Sequence, residues 1–229
     1  DDLLIYITGQ KAVKADKTNQ TRAFQEVGIK LIFSILTNPD NLQLSYRELA
    51  EKTGVAIGSI SNVMKELEDL NFILKTDTKR ILKNKPELLD RWVVAYLDVL
   101  RPRLIKRRMR FGDKAKYINW KTLLQNQTNA VTLWGGEPAA ALLNDFLKPA
   151  QYTIYTNISW QECAKQLGMV PDENGDIEIL NLFWNPEMVV AEKHTVPPVL
   201  IYTDLINSGF DRNIEAAKLL LENELQNIK

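Results

Sequence analysis

Two short helix signals separated by Thr53-Gly54 constrain this chain more than any other feature. Ser45 followed by Glu48 is a Ser-x-x-Glu capping box, in which side chain and backbone satisfy each other's donors at a helix start. That helix is brief, because Gly54 stands where a left-handed residue closes a C-terminus. Over residues 57–70 a further helix sets Ile57, Ile60, Val63, Met64, Leu67 and Leu70 on one side at ~100° per residue. Gly58, Asn62, Lys65 and Asp69 fall opposite, with Ser59 and Ser61 on the flanks. Residues 72–75 and 80–83 then read as strands around Thr76-Asp77-Thr78-Lys79, a short basic hairpin. A helix-turn-helix with such a wing is the arrangement that lets one helix enter the major groove of double-stranded DNA. On that reading Ser59, Ser61, Asn62 and Lys65 meet base edges or grip the groove. Tyr46 and Arg47 hold the backbone near the first helix, and Lys75, Lys79 and Arg80 form the wing.

The remainder of the chain mixes helix and strand signals. An amphipathic stripe of Phe24, Val27, Leu31, Ile32 and Ile35 predicts a helix ended by Asn38-Pro39-Asp40-Asn41. Pro86 opens another, with Leu88, Leu89, Trp92, Val93 and Tyr96 at helical spacing, and Pro102 interrupts it. Beyond residue 119 the pattern predicts helices over 137–147, 160–167, 199–208 and 213–225, with strands over 152–156 and 177–184. The five tryptophans are spread out and read as core or interface anchors. The expected fold is therefore α+β, an N-terminal winged helix-turn-helix followed by a mixed α/β C-terminal domain. Residues 1–22 form a strand and linker; since Asp1 leads straight into an apolar run, they read as the remnant of a preceding segment. Residues 23–118 make the winged-helix domain with a basic extension, and 119–229 the α+β domain.

Twenty-nine Lys and Arg balance twenty-nine Asp and Glu, so only the distribution of charge is informative. Residues 75–121 carry an excess of ten positive charges, and residues 130–229 an excess of eight negative ones. Such asymmetry suggests a cationic region for an anionic partner. Its densest part holds Arg103, Lys106, Arg107, Arg108 and Arg110, a strand or an exposed edge. These cations are candidate phosphate contacts, or else a face that is solvated or paired with acids of the second half. Cys163 stands alone, which excludes an internal disulfide and a thiolate metal cage and fits a reducing cytosol. A lone His194 excludes a multi-histidine metal site. Asp172-Glu173-Asn174-Gly175-Asp176 lacks the spacing and closing Glu of a calcium loop. No metal, cofactor or catalytic residue is expected, and no apolar run is long enough for a membrane span. Trp134-Gly135-Gly136 before a helix invites comparison with nucleotidyltransferase sites, where the following strand carries paired aspartates for metal ions. Here that strand reads Tyr152-Thr153-Ile154-Tyr155-Thr156-Asn157, without a carboxylate, so a tight turn with close helix packing is preferred. A nucleotidyltransferase-like enzyme or a ligand-sensing regulator remains the alternative to a DNA-binding protein.

Val27-Gly28-Ile29-Lys30-Leu31-Ile32-Phe33, Tyr46-Arg47-Glu48-Leu49-Ala50, Asp90-Arg91-Trp92-Val93 and Leu100-Arg101-Pro102-Arg103-Leu104 resemble the AbiEi-like abortive-infection antitoxins of type IV toxin–antitoxin systems. In the second half, Trp134 to Leu143, Leu147-Lys148-Pro149, Thr153-Ile154-Tyr155 and Val196 to Leu205 are similar to the same family. The resemblance implies a bacterial cytoplasmic transcriptional regulator that binds its own promoter through a winged helix. It also implies a nucleotidyltransferase-like toxin as functional partner, without implying direct contact.

Overall fold

The computed structural model describes residues 21–125, 131–144, 146–186 and 194–228. The strand expected within residues 1–22 lies outside them. A short 3-10 turn, Arg22–Phe24, leads into α1 (Glu26–Thr37), which buries Ile29, Leu31, Ile32, Phe33, Ile35 and Leu36. Around it pack α2 (Tyr46–Thr53), α3 (Ile57–Asp69) and α4 (Lys85–Ala95). Between α3 and α4 lies an antiparallel hairpin of β1 (Ile73–Lys75) and β2 (Arg80–Leu82).

The capping box forms, with Ser45 N donating to Glu48 Oε2 (2.8 Å) and Glu48 N to Ser45 Oγ (3.3 Å). Gly54 closes α2 at φ 66°, a backbone state that glycine adopts without a Cβ penalty. Ile60, Val63, Met64 and Leu67 are buried as the helical stripe requires. Ile57 is a correction: it is 49% exposed, because the seam against α1 and α2 begins one turn later.

After α4 the helix widens into a π turn at Tyr96–Leu100, where Arg101 N bonds back to Tyr96 O, and tightens again as α5 (Arg101–Leu104). Pro102 explains the interruption, since it lacks an N–H and its ring crowds the preceding turn. The basic run then becomes β3 (Ile105–Phe111). There follow α6 (Ala115–Ile118), β4 (Thr132–Gly135), α7 (Gly136–Asn144), β5 (Tyr152–Thr156), α8 (Trp160–Leu167), β6 (Met169–Pro171) and β7 (Ile177–Asn181), then α9 (Pro198–Asn207) and α10 (Asp211–Asn223). One mixed sheet has the order β4-β5-β7-β3-β6. Its β5 and β7 run parallel, with Ile154 opposite Ile179, while the other neighbours are antiparallel. Helix α9 packs between α7 and α10, with α7 against β4 and β5. The architecture is thus α+β. Strands β4 and β6 were absent from the sequence reading, being short and lacking an alternating pattern. Strand β3, grouped by sequence with the N-terminal segment, pairs with β7 and β6, so a division at 118/119 cuts through one ladder.

Aromatic rings join the helical part to the sheet. Phe33 of α1 stacks on Trp92 (5.8 Å, 20°), and Trp92 on Tyr96 (5.1 Å, 12°). Phe33 also meets Phe183 and Trp184 beyond β7, and Trp184 faces Tyr155 of β5. Trp92 is fully buried and its Nε1 donates to Ile29 O (2.9 Å). We predict that Trp92→Ala lowers stability by about 3–5 kcal/mol. Urea unfolding followed by circular dichroism should show one transition moved to lower denaturant. A variant unfolding at the wild-type midpoint would contradict this role.

Candidate nucleic-acid interface and a buried ion cluster

The outward face of α3 comprises Gly58, Ser61, Asn62, Lys65 and Asp69, all exposed, with Ser59 half-buried at its side. A Cβ built at Gly58 would meet nothing within 4 Å, so this face is open. The acids of the helix are placed away from its first turns. Glu66 accepts from Ala23 N (2.9 Å) and so holds the 3-10 turn ahead of α1, while Asp69 ends the helix. Lys75 and Lys79 are exposed on the hairpin, whose tip is closed by Thr76 N bonding to Lys79 O (2.9 Å). Arg47 is exposed on α2.

Arg80 and Tyr46 stand in the hairpin and at the start of α2 as expected, and there they engage each other and the chain. Arg80 Nη1 donates to Leu42 O (2.8 Å) and Leu44 O (2.9 Å), and its guanidinium lies 5.1 Å over the Tyr46 ring. The Gln43 side chain brackets the Arg80 backbone, donating to its O and accepting from its N. Arg80 therefore fastens the hairpin to the segment before α2. Two carbonyls would lose their donor in Arg80→Ala, so we expect a loss of about 1–3 kcal/mol.

The candidate phosphate contacts of the basic run all have partners within the chain. Arg103 bonds Glu26 (3.0 Å), Lys106 donates to Ile158 O (2.6 Å) and Arg107 lies over Trp160 (5.6 Å). Arg108 pairs with Glu178 (3.6 Å) across the β3–β7 ladder, and Arg110 with Asp172 (3.3 Å). Of the two readings the sequence left open, the acid-paired face is the one with observed contacts. Arg110 is half exposed, and such pairs are worth little, so Arg110→Ala should change stability by less than about 0.5 kcal/mol. Denaturant melts of the two arginine variants separate the roles; equal losses would refute the distinction.

A second cluster was not singled out from the sequence. Arg101, swung inward by the π turn, donates from Nη2 to Glu178 Oε2 (2.5 Å) and from Nε to Asp204 Oδ1 (3.4 Å). Tyr155 OH donates to both oxygens of Asp204 (3.0 and 3.1 Å), and Tyr96 OH lies 2.9 Å from Tyr155 OH. Burial pushes both phenols well above their ordinary range. Burial also lifts the Asp204 carboxyl to about 6, although the nearby Arg101 charge opposes the rise. A Cβ at Gly135 would stand 2.7 Å from Asp204 Oδ2 and from the Tyr155 ring, so the glycine serves close packing. The signal that could have revealed the cluster is Asp204 itself, a carboxylate inside the otherwise uncharged helix Val199-Leu200-Ile201-Tyr202-Thr203-Asp204-Leu205. Asp204 binds its proton more tightly when folded than when unfolded, so its ionisation destabilises the fold. Stability should fall as pH rises from about 4 through about 6. Asp204→Asn should abolish that slope, so that the stability of wild type relative to the variant falls by about 1–3 kcal/mol across the window, on top of the pH-independent cost of taking one partner from Arg101. Urea titrations at several pH values measure it, and parallel wild-type and variant curves would oppose it.

Elsewhere Glu137, 3% exposed, accepts from Ala150 N, Arg212 and Asn213, tying α7 to the following loop and α10. Cys163 is buried and its thiol is pushed up to about 12 by burial, as befits a packed residue. Among the described residues no helix is long and apolar enough to cross a membrane.

Residues 80–226 match the model of a family described as transcriptional regulator, AbiEi antitoxin, type IV toxin–antitoxin system. The chain belongs to this family. The AbiEi match contains the whole ion cluster and the mixed sheet, and begins in the hairpin. Residues 25–93 match the family of the Firmicute plasmid replication protein RepL, which spans α1 to most of α4. No curated protein and no solved structure matches the chain. The AbiEi family is one of regulators and antitoxins rather than enzymes.

Proposed function

We propose that this AbiEi-family chain binds double-stranded DNA through α2, α3 and the β1–β2 hairpin as a winged helix-turn-helix, and represses its own operon. The observation that carries the proposal is the face of α3. Its opposite side is packed against the protein, and the outward side offers small, uncharged and cationic residues with no acid in the first two turns. A major groove can accept such a face closely. Asn62 is placed to bond an adenine edge, and Lys65 to reach a guanine or a phosphate. The exposed Ile57, at the N-terminal end of α3, suits a thymine methyl. Arg47, Ser59, Ser61, Lys75 and Lys79 supply backbone contacts, and Arg80 over Tyr46 sets the angle of the wing. The DNA-binding unit ends at the π turn, and the rest of the chain forms the antitoxin part. A nucleotidyltransferase-like toxin is the functional partner, and the setting is the bacterial cytoplasm. An enzymatic reading is disfavoured, since β5 carries no carboxylate and Glu178 and Asp204 share one guanidinium.

The test is a mobility-shift titration on the promoter fragment at several salt concentrations. Lys65→Ala should weaken binding across sequences and lower the salt slope by about one. Asn62→Ala should cost about 1–3 kcal/mol on the operator and relax its specificity. Arg110→Ala should leave both unchanged. Wild-type affinity in the Asn62 and Lys65 variants would overturn the assignment of α3.

A further inference from the structure

We propose that Gln43, on the reading of the β1–β2 hairpin as a DNA-contacting wing, is a positioning residue that holds the wing against α2 and α3 by standing where a third strand would pair. A hairpin of two three-residue strands is marginal alone and takes its direction from what it packs against. Among the described residues β1 and β2 pair only with each other.

The register defines the open edge. Ile73 lies opposite Leu82, Leu74 opposite Ile81 and Lys75 opposite Arg80. Lys83 N donates to Phe72 O (2.8 Å) and Thr76 N to Lys79 O (2.9 Å). In an antiparallel ladder hydrogen-bonded pairs alternate with non-bonded ones, so Leu74 and Ile81 form the bonded pair between these two. The main chain of Arg80 is therefore turned away from β1, toward the outer edge of β2. There the Gln43 side chain meets both of its groups. Arg80 N donates to Gln43 Oε1 (3.1 Å), and Gln43 Nε2 donates to Arg80 O (2.6 Å). A residue on a neighbouring antiparallel strand makes the same two bonds with its own N–H and C=O.

The Arg80 side chain reaches back the other way. Its Nη1 donates to Leu42 O (2.8 Å) and Leu44 O (2.9 Å), the carbonyls on either side of Gln43. Gln43 ends the 3-10 turn Pro39–Gln43, and Ser45, two residues on, caps α2. The edge of the hairpin is thus tied to the entry of the helix that packs against α3. Gln43 also borders, with Lys75, Lys79 and Arg80, an open hollow of about 200 Å³. It is exposed and uncharged, so replacing it alters where Lys75 and Lys79 stand and leaves their charge intact.

The test uses Gln43→Met, which keeps the length of the side chain and removes both bonds. Amide hydrogen exchange of the free chain reads the clasp: the Arg80 amide should exchange about tenfold faster in the variant, with the amides of α1 unchanged. Mobility-shift titrations on the promoter fragment read the wing. Gln43→Met should weaken binding about fivefold and lower the salt slope by about two, as should Lys75→Ala and Lys79→Ala combined. Adding Gln43→Met to the lysine pair should lower the slope no further, because the contacts it positions are already gone. A loss of stability alone would leave the slope unchanged. Wild-type affinity and slope in Gln43→Met, beside a lowered slope in the lysine pair, would overturn the role of Gln43 and leave the winged-helix reading standing. Equal exchange of the Arg80 amide in both proteins, or additive losses of slope, would do the same. An unchanged slope in the lysine pair would overturn the wing and the role of Gln43 together.

Discussion

Arg101 is the residue on which the joint between helices and sheet depends. It reaches the interior because the π turn and Pro102 redirect the helix after α4. There it meets one carboxylate from the sheet and one from α9. Breaking such a buried arrangement by removing one partner leaves charge in a low-dielectric interior and costs several kcal/mol. From Asp204 the contacts continue through the hydroxyls of Tyr155 and Tyr96, and then through the stacked rings of Trp92 and Phe33 to α1. One continuous column of ions, phenols and aromatic rings therefore connects the ion cluster to α1, against which α2 and α3 pack.

This column gives the uneven charge distribution a structural meaning. The positive excess of residues 75–121 and the negative excess of residues 130–229 meet across the β3–β7 ladder and around Asp204 and Asp172. Much of the basic run is thereby used inside the molecule. On the proposed DNA-binding reading, the cations that would meet a nucleic acid are fewer, namely the exposed Arg47 and the Lys65, Lys75 and Lys79 side chains around a helix with an uncharged start. The Arg80 side chain is held by two backbone carbonyls and a tyrosine ring.

Local elements were legible wherever the signal is short-range. Ser45 and Glu48 cap α2, Gly54 closes it, and Trp160 to Leu167 forms a helix as the spacing predicts. Strand 152–156 follows its β-formers, and the strand expected over 177–184 forms but ends at Asn181. What the sequence left open has a common cause. Whether Arg108 faces phosphate or Glu178 depends on the strand register of residues far apart in sequence. Ile57 satisfies the helical stripe, yet the packed seam begins only at Ile60.

The sequence by itself determined the helix boundaries near α2 and α3, the polar outer stripe of α3, the basic hairpin and the mixed α+β class. Those rest on capping, turn chemistry and periodicity, which act over a few residues. Only the tertiary structure decided the place of β3 in the sheet, the work of Arg80, and the meeting of Arg101, Glu178 and Asp204. Such features arise from pairing between segments tens of residues apart. Burial and charge complementarity select among arrangements that local propensity leaves equal.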